Sequence, residues 1–134
     1  MKVLIVDDQF ENRKLLRVML KNHASCDMVG NGMEAVEMFE GELLEGAPYD
    51  LVLLDIMMPG MDGQEALRKI RAIEREREIT GSDEAKVIMI TALDSPKQVI
   101  QAFFQGGCTD YLTKPITQKI LLDKLVENDC LSAA

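Results

Sequence analysis

The chain has 134 residues, 47% hydrophobic and 28% charged, a composition that fits one globular domain with a single core and excludes a disordered or fibrous chain. Its formal net charge of -8 argues against nucleic acid or an anionic membrane as the main partner, since both call for clustered Lys and Arg. The three cysteines, Cys26, Cys108 and Cys130, are odd in number and form no CxxC pair, so reduced thiols in a cytoplasmic protein are expected rather than a disulfide or a zinc site.

The first apolar run, Val3 to Val6, stops at Asp7 and Asp8, which reads as a strand and not as a signal peptide. No stretch approaches the roughly 18 apolar residues of a membrane span. Leu15, Leu16, Met19 and Leu20 then form a helical stripe. Cys26 to Val29 is a second strand, weaker in apolar character. Asn31 with Glu34 resembles a capping box opening a second helix, whose stripe is Ala35, Val36 and Phe39. Leu51 to Leu54 is a continuous apolar strand, followed by a helix striped with Leu67, Ile70 and Ile73. The run from Glu74 to Glu84, rich in Arg and Glu, is expected to be a solvated helix end and loop.

Val87 to Ile90 is the fourth strand. Ser95 before Pro96 suits the N-cap and first position of a fourth helix carrying Val99, Ile100 and Phe104, and Gly106-Gly107 suits its stop. Tyr111 with Leu112 forms a short fifth strand, and Ile120, Leu121 and Leu125 stripe a fifth helix. Three of the strands are continuous rather than alternating, as in a parallel sheet buried on both faces. Five strands alternating with five helices predict a doubly wound α/β sandwich, one domain over residues 1–134 with a core of about 2–127.

In such a sheet, ligands bind outside the carboxyl ends of the strands. The first strand ends in Asp7 and Asp8, the third in Asp55 and the fourth in Thr91, while the fifth leads through Tyr111 to Lys114. Two carboxylates about 4 Å apart repel by about 4 kcal/mol at an effective dielectric near 20. A shared proton or a bound hard cation offsets that. Oxygen ligands in a shallow open site favour magnesium. A helix-capping role suits one of Asp7 and Asp8 but does not explain Asp55. No GxGxxG or Ser/Thr-rich phosphate loop follows the first strand. His23, the lone histidine, is expected at the surface, away from any nucleophile. A haloacid-dehalogenase-type phosphatase wants a second Asp two residues after the nucleophile, where this chain has Met57.

Four stretches, Leu4-Ile-Val-Asp-Asp8, Leu53-Leu-Asp-Ile-Met-Met-Pro-Gly-Met-Asp-Gly63, Ile90-Thr-Ala92 and Asp110-Tyr-Leu-Thr-Lys-Pro115, resemble the receiver domain of response regulators. That resemblance implies a flavodoxin-like sheet of order 2-1-3-4-5. It implies a phosphoacceptor in two-component or phosphorelay signalling, with at most slow self-catalysed phosphorylation and dephosphorylation. A phosphohistidine on a sensor histidine kinase or a histidine phosphotransfer domain would donate to Asp55. By position, Asp8, Asp55 and the Met57 backbone carbonyl would ligate magnesium, or manganese in its place, with Asp7 acting mostly through water. Lys114 would pair with the phosphoryl oxygens, and Thr91 with Tyr111 would form the conformational switch. Pro59, Gly60, Gly63 and Pro115 look structural, with a cis Lys114-Pro115 bond expected. Packing beside the metal is expected of Met57 and Met58. Met57 and Leu93 occupy positions that tune dephosphorylation in the family. Output to a protein partner is expected through the fourth helix, fifth strand and fifth helix, with Phe103 a candidate contact. A stand-alone regulator is the leading reading. A fragment of a longer regulator or hybrid kinase is the second, and an aspartyl-phosphate hydrolase the third.

Overall fold

The computed structural model describes residues 1–92, 96–101 and 105–132, with the side chains of Pro96, Gln98 and Val99 left out. Leu93, Ser95, Phe103 and Phe104, and the side chain of Val99, therefore lie outside the described residues. The elements run β1 (Lys2–Val6), α1 (Phe10–Met19), β2 (Ser25–Val29), α2 (Gly32–Leu44), β3 (Leu51–Asp55), α3 (Gly63–Glu76), β4 (Lys86–Thr91), α4 (Pro96–Gln101), β5 (Asp110–Thr113) and α5 (Gln118–Glu127). All four ladders are parallel, and the strand order is β2-β1-β3-β4-β5, as expected.

The apolar runs form strands because both faces of the sheet are covered. Successive side chains point to opposite faces. Leu4, Val6, Val52, Leu54, Val87 and Met89 join Ala35 and Phe39 of α2 and Leu67, Ile70 and Ile73 of α3 on one side. Val3, Ile5, Leu51, Leu53, Ile88 and Ile90 meet Leu16 and Met19 of α1 and Leu121 and Leu125 of α5 on the other. In β1, β3 and β4 the positions between the strand ends are all apolar, so the functional groups of these strands collect at their ends.

Helix starts follow local chemistry. The Asn31 side chain accepts from the Glu34 amide at 2.8 Å, while its amide donates to the Glu34 carboxylate. Asp62 caps α3 by accepting from the Glu65 amide at 2.9 Å, and Gly107 takes φ 76 after the α4 segment.

Two expectations are corrected. Leu15, Ile100 and Ile120 are exposed rather than core residues, because a helix against a sheet buries a narrower stripe than their spacing suggested. Glu74 is not solvated: it is 2% exposed and lies on the same helical face as Leu67, Ile70 and Arg71. Its carboxylate accepts from Arg71 Nη1 and from the Ala85 amide, each at 2.7 Å. Arg71 also donates to the carbonyls of Ala85 (2.8 Å) and Gly107 (2.9 Å), tying α3 to the start of β4 and the approach to β5. Removing one partner of a buried pair strands the other's charge. Glu74→Ala is therefore expected to cost about 3–5 kcal/mol in urea unfolding; a loss under about 1 kcal/mol would contradict this packing.

Candidate functional site

Asp7 follows β1 directly, and its amide still donates to the Val29 carbonyl at 3.3 Å. Its carboxylate accepts from the Gln9 amide at 2.9 Å, turning the chain into α1. Asp55 ends β3, paired in register with Ile90. Asp55 is 3% exposed, and its carboxylate accepts from the Met57 amide at 3.2 Å. Asp7 is equally buried, whereas Asp8 faces solvent. Ligand oxygens from Asp7, Asp8 and Asp55 lie within 4.8 Å of one another. The expected acidic cluster is thus assembled.

Lys114 leaves β5 and returns across the cluster. Its amide donates to the Thr91 carbonyl at 2.8 Å, and its Nζ lies 3.2 Å from Asp55 Oδ2 and 3.8 Å from Asp7 Oδ2. The next peptide bond, Lys114-Pro115, is cis, as expected. Thr91 ends β4, buried, with its hydroxyl donating to the Ala92 carbonyl at 3.3 Å. Tyr111 is registered with Met89, two residues before Thr91, so Tyr111 and Thr91 share one face of the sheet. Tyr111 is 37% exposed.

The loop after Asp55 approaches the strand end closely. A Cβ at Gly63 would collide with the Asp55 carbonyl, so only glycine fits there. Gly60 takes φ 75, the left-handed region that favours glycine. The two methionines of this loop part company: Met58 packs in the core, but Met57 is exposed beside the site rather than packed. Pro59 and Pro115 are both exposed.

Burial, the largest influence, pushes the Asp55 carboxyl above its ordinary value of 3.8; the Lys114 ammonium opposes that and the Asp7 charge adds to it. The cluster therefore resists carrying all its charges at once. It offers only oxygen ligands and keeps one open side at Asp8, which suits a hard divalent cation holding several waters. Beside it lies a cavity of about 280 Å³ with Leu15, Leu16, Met19 and Ile116 in its wall and Asp7 and Lys114 at one end.

Two residues outside the expected set belong to this region. Arg13 Nη1 donates to the Asp7 carbonyl at 2.7 Å, a contact that spacing along α1 does not announce. Asn12 lines the same cavity. His23 is exposed, and Cys26, Cys108 and Cys130 are free thiols, as expected. Among the described residues, no helix is long and apolar enough to cross a membrane.

Residues 3–126 match the family model described as the response regulator receiver domain. The chain is 40% identical over 119 residues to the transcriptional regulatory protein ResD of Bacillus subtilis, covering 88% of this chain and 43% of that protein. It thus spans less than half the length of this relative. Among solved structures, it is similar to the receiver domain of Ssk1 from Saccharomyces cerevisiae, solved with the histidine phosphotransfer protein Ypd1. The TM-score is 0.81 at 32% identity, covering 100% of this chain and 92% of the other. It is also similar to the receiver domain of the Pseudomonas aeruginosa sensor histidine kinase PA1611, solved with magnesium in its active-site cleft. There the TM-score is 0.75 at 29% identity, covering 94% of each chain. The flavodoxin-like sheet, the acidic strand ends and these matches agree: the chain belongs to the response regulator receiver domain family, the phosphoacceptor signalling domains of two-component and phosphorelay systems.

Proposed function

We propose that Asp55 takes a phosphoryl group from a phosphohistidine on a sensor histidine kinase or a histidine phosphotransfer domain. The observation that carries this is one buried carboxylate, Asp55, meeting Asp7, Asp8 and the Lys114 ammonium at the carboxyl ends of the strands. A carboxylate oxygen of Asp55 attacks phosphorus as the P–N bond to the imidazole breaks, and the bonding pair stays on the imidazole nitrogen. The transition state is loose, so positioning and charge stabilisation do most of the work. Lys114, 3.2 Å from Asp55, would follow the transferred group and pair with its oxygens.

Asp7, Asp8, Asp55 and the Met57 carbonyl would hold magnesium, or manganese in its place, which when bound neutralises charge on the cluster and on the phosphoryl oxygens. The magnesium in the PA1611 cleft supports that choice of ion.

The product carries about one more negative charge than Asp55 did. Thr91 would turn its hydroxyl from the Ala92 carbonyl to a phosphoryl oxygen, and Tyr111, on the same face, would move into the space released. Output would pass to a protein partner over α4, β5 and α5. A coupling of this kind typically measures about 1–3 kcal/mol. The complex of the Ssk1 receiver with Ypd1 supports a histidine phosphotransfer protein as the donor class.

Incubation with magnesium and acetyl phosphate is expected to leave one acid-stable, base-labile phosphoryl group per chain, located at Asp55 by mass spectrometry. Asp55→Asn or chelation of the metal should abolish it. Label that persists in Asp55→Asn, or steady hydrolysis of phosphate esters, would overturn the reading.

The electrostatic side is tested without phosphate. With its carboxyl raised above 3.8, Asp55 costs stability above its folded pKa, and that cost is gone below 3.8. In metal-free buffer at neutral pH, Asp55→Asn should therefore be more stable than the parent, read as a higher melting temperature. The gain should shrink as pH falls through the carboxylate range. A variant less stable than the parent at neutral pH would show that the Lys114 pairing outweighs burial and repulsion.

A further inference from the structure

We propose that Arg13 is the positioning residue that sets the metal-binding geometry of Asp7 and Asp8, acting through the peptide unit that joins them. The inference rests on the metal-assisted reading of the site. The Asp7 carbonyl belongs to the peptide linking the two carboxylates, and that carbonyl receives Arg13 Nη1 at 2.7 Å. A short charge-assisted bond of this kind holds its acceptor firmly. The other groups of Asp7 are fixed separately: its amide donates to Val29 at 3.3 Å and its carboxylate accepts from Gln9 at 2.9 Å. Arg13 thus adds a restraint on how the plane between Asp7 and Asp8 is tilted. Asp8 is exposed, so its carboxylate depends on that backbone for its aim.

The guanidinium is itself held in place. Its carbon lies 5.8 Å from the centre of the Phe10 ring, in cation–π range. On the side of β2, a Cβ at Gly30 would come within 3.3 Å of Arg13 Nη1, closer than most real contacts, so a bare glycine leaves room for the arginine. The Arg13 amide donates to the Gln9 carbonyl at 3.2 Å, anchoring the first turn of α1 from which the side chain reaches back. A strand-end glycine and an aromatic ring thus flank the guanidinium that reaches the carbonyl of the acidic turn.

Groups that orient metal ligands from outside typically change metal affinity by about 10–100-fold when lost. Calorimetric titration of magnesium is expected to give Arg13→Met a dissociation constant about tenfold above the parent's. Labelling by acetyl phosphate at saturating magnesium should stay within about twofold, since Arg13 touches no reacting atom. Arg13→Lys, which keeps the charge but loses the planar fork, should recover part of the affinity. Gly30→Val, which crowds the guanidinium with Arg13 intact, should weaken magnesium binding in the same direction and keeps the test open if Arg13→Met does not fold. Arg13→Met and Gly30→Val both binding magnesium within twofold of the parent would overturn the proposal, as would an equal loss in affinity and saturated rate. A parent chain that binds no magnesium sinks this inference together with the reading beneath it; a parent that binds it while the variants match sinks this inference alone.

Discussion

Crowded like charge at the edge of an apolar sheet is the constraint around which this molecule is arranged. Asp7 and Asp55 are buried and Asp8 joins them within 4.8 Å, yet each of the first two directly follows a run of four apolar residues. The energy for holding them together comes from elsewhere in the fold. The residues of β1, β3 and β4 between their ends bury large aliphatic side chains on both faces, and those contacts fix the strand ends regardless of what they carry.

What the sheet supplies in position, local hydrogen bonds refine in direction. The Gln9 and Met57 amides each donate to a carboxylate two residues earlier, and Lys114 places one ammonium between Asp7 and Asp55. That single cation offsets part of the cost, while burial, the largest influence, and the Asp7 charge still hold the Asp55 carboxyl above its ordinary value. A divalent ion and a phosphoryl group would complete such a site in the proposed reading, the first by adding positive charge and the second by being drawn to it. In the proposed reading, a change in charge at Asp55 would act first on Lys114, 3.2 Å away, and would pass from there to Thr91.

Much of this was legible in the residues, and for physical reasons. Continuous runs such as Leu51 to Leu54 announce strands covered on both faces, and a polar residue ending each run marks the same edge of the sheet. Asp7, Asp8, Asp55, Thr91 and Lys114 were found that way, and the structure brings them together. Periodicity was less reliable for the helices. Leu15 and Ile120 match a helical stripe but point past the edge of the sheet into solvent. Glu74 was read as solvated because charge usually is, although it shares the buried face of Leu67 and Ile70 with its partner Arg71. Arg13 was invisible for a different reason. Its partner is a backbone carbonyl, and backbone groups leave no mark in the residue types.

The central claim is that these carboxylates are crowded because a divalent ion completes them. Titrating magnesium into the chain while following backbone amide resonances tests it most directly. Saturable shifts confined to residues 7–9, 55–58 and 114, with calcium-free manganese broadening the same signals, are the predicted result. An absence of saturable shifts, or shifts centred away from Asp7, Asp8 and Asp55, would contradict the account.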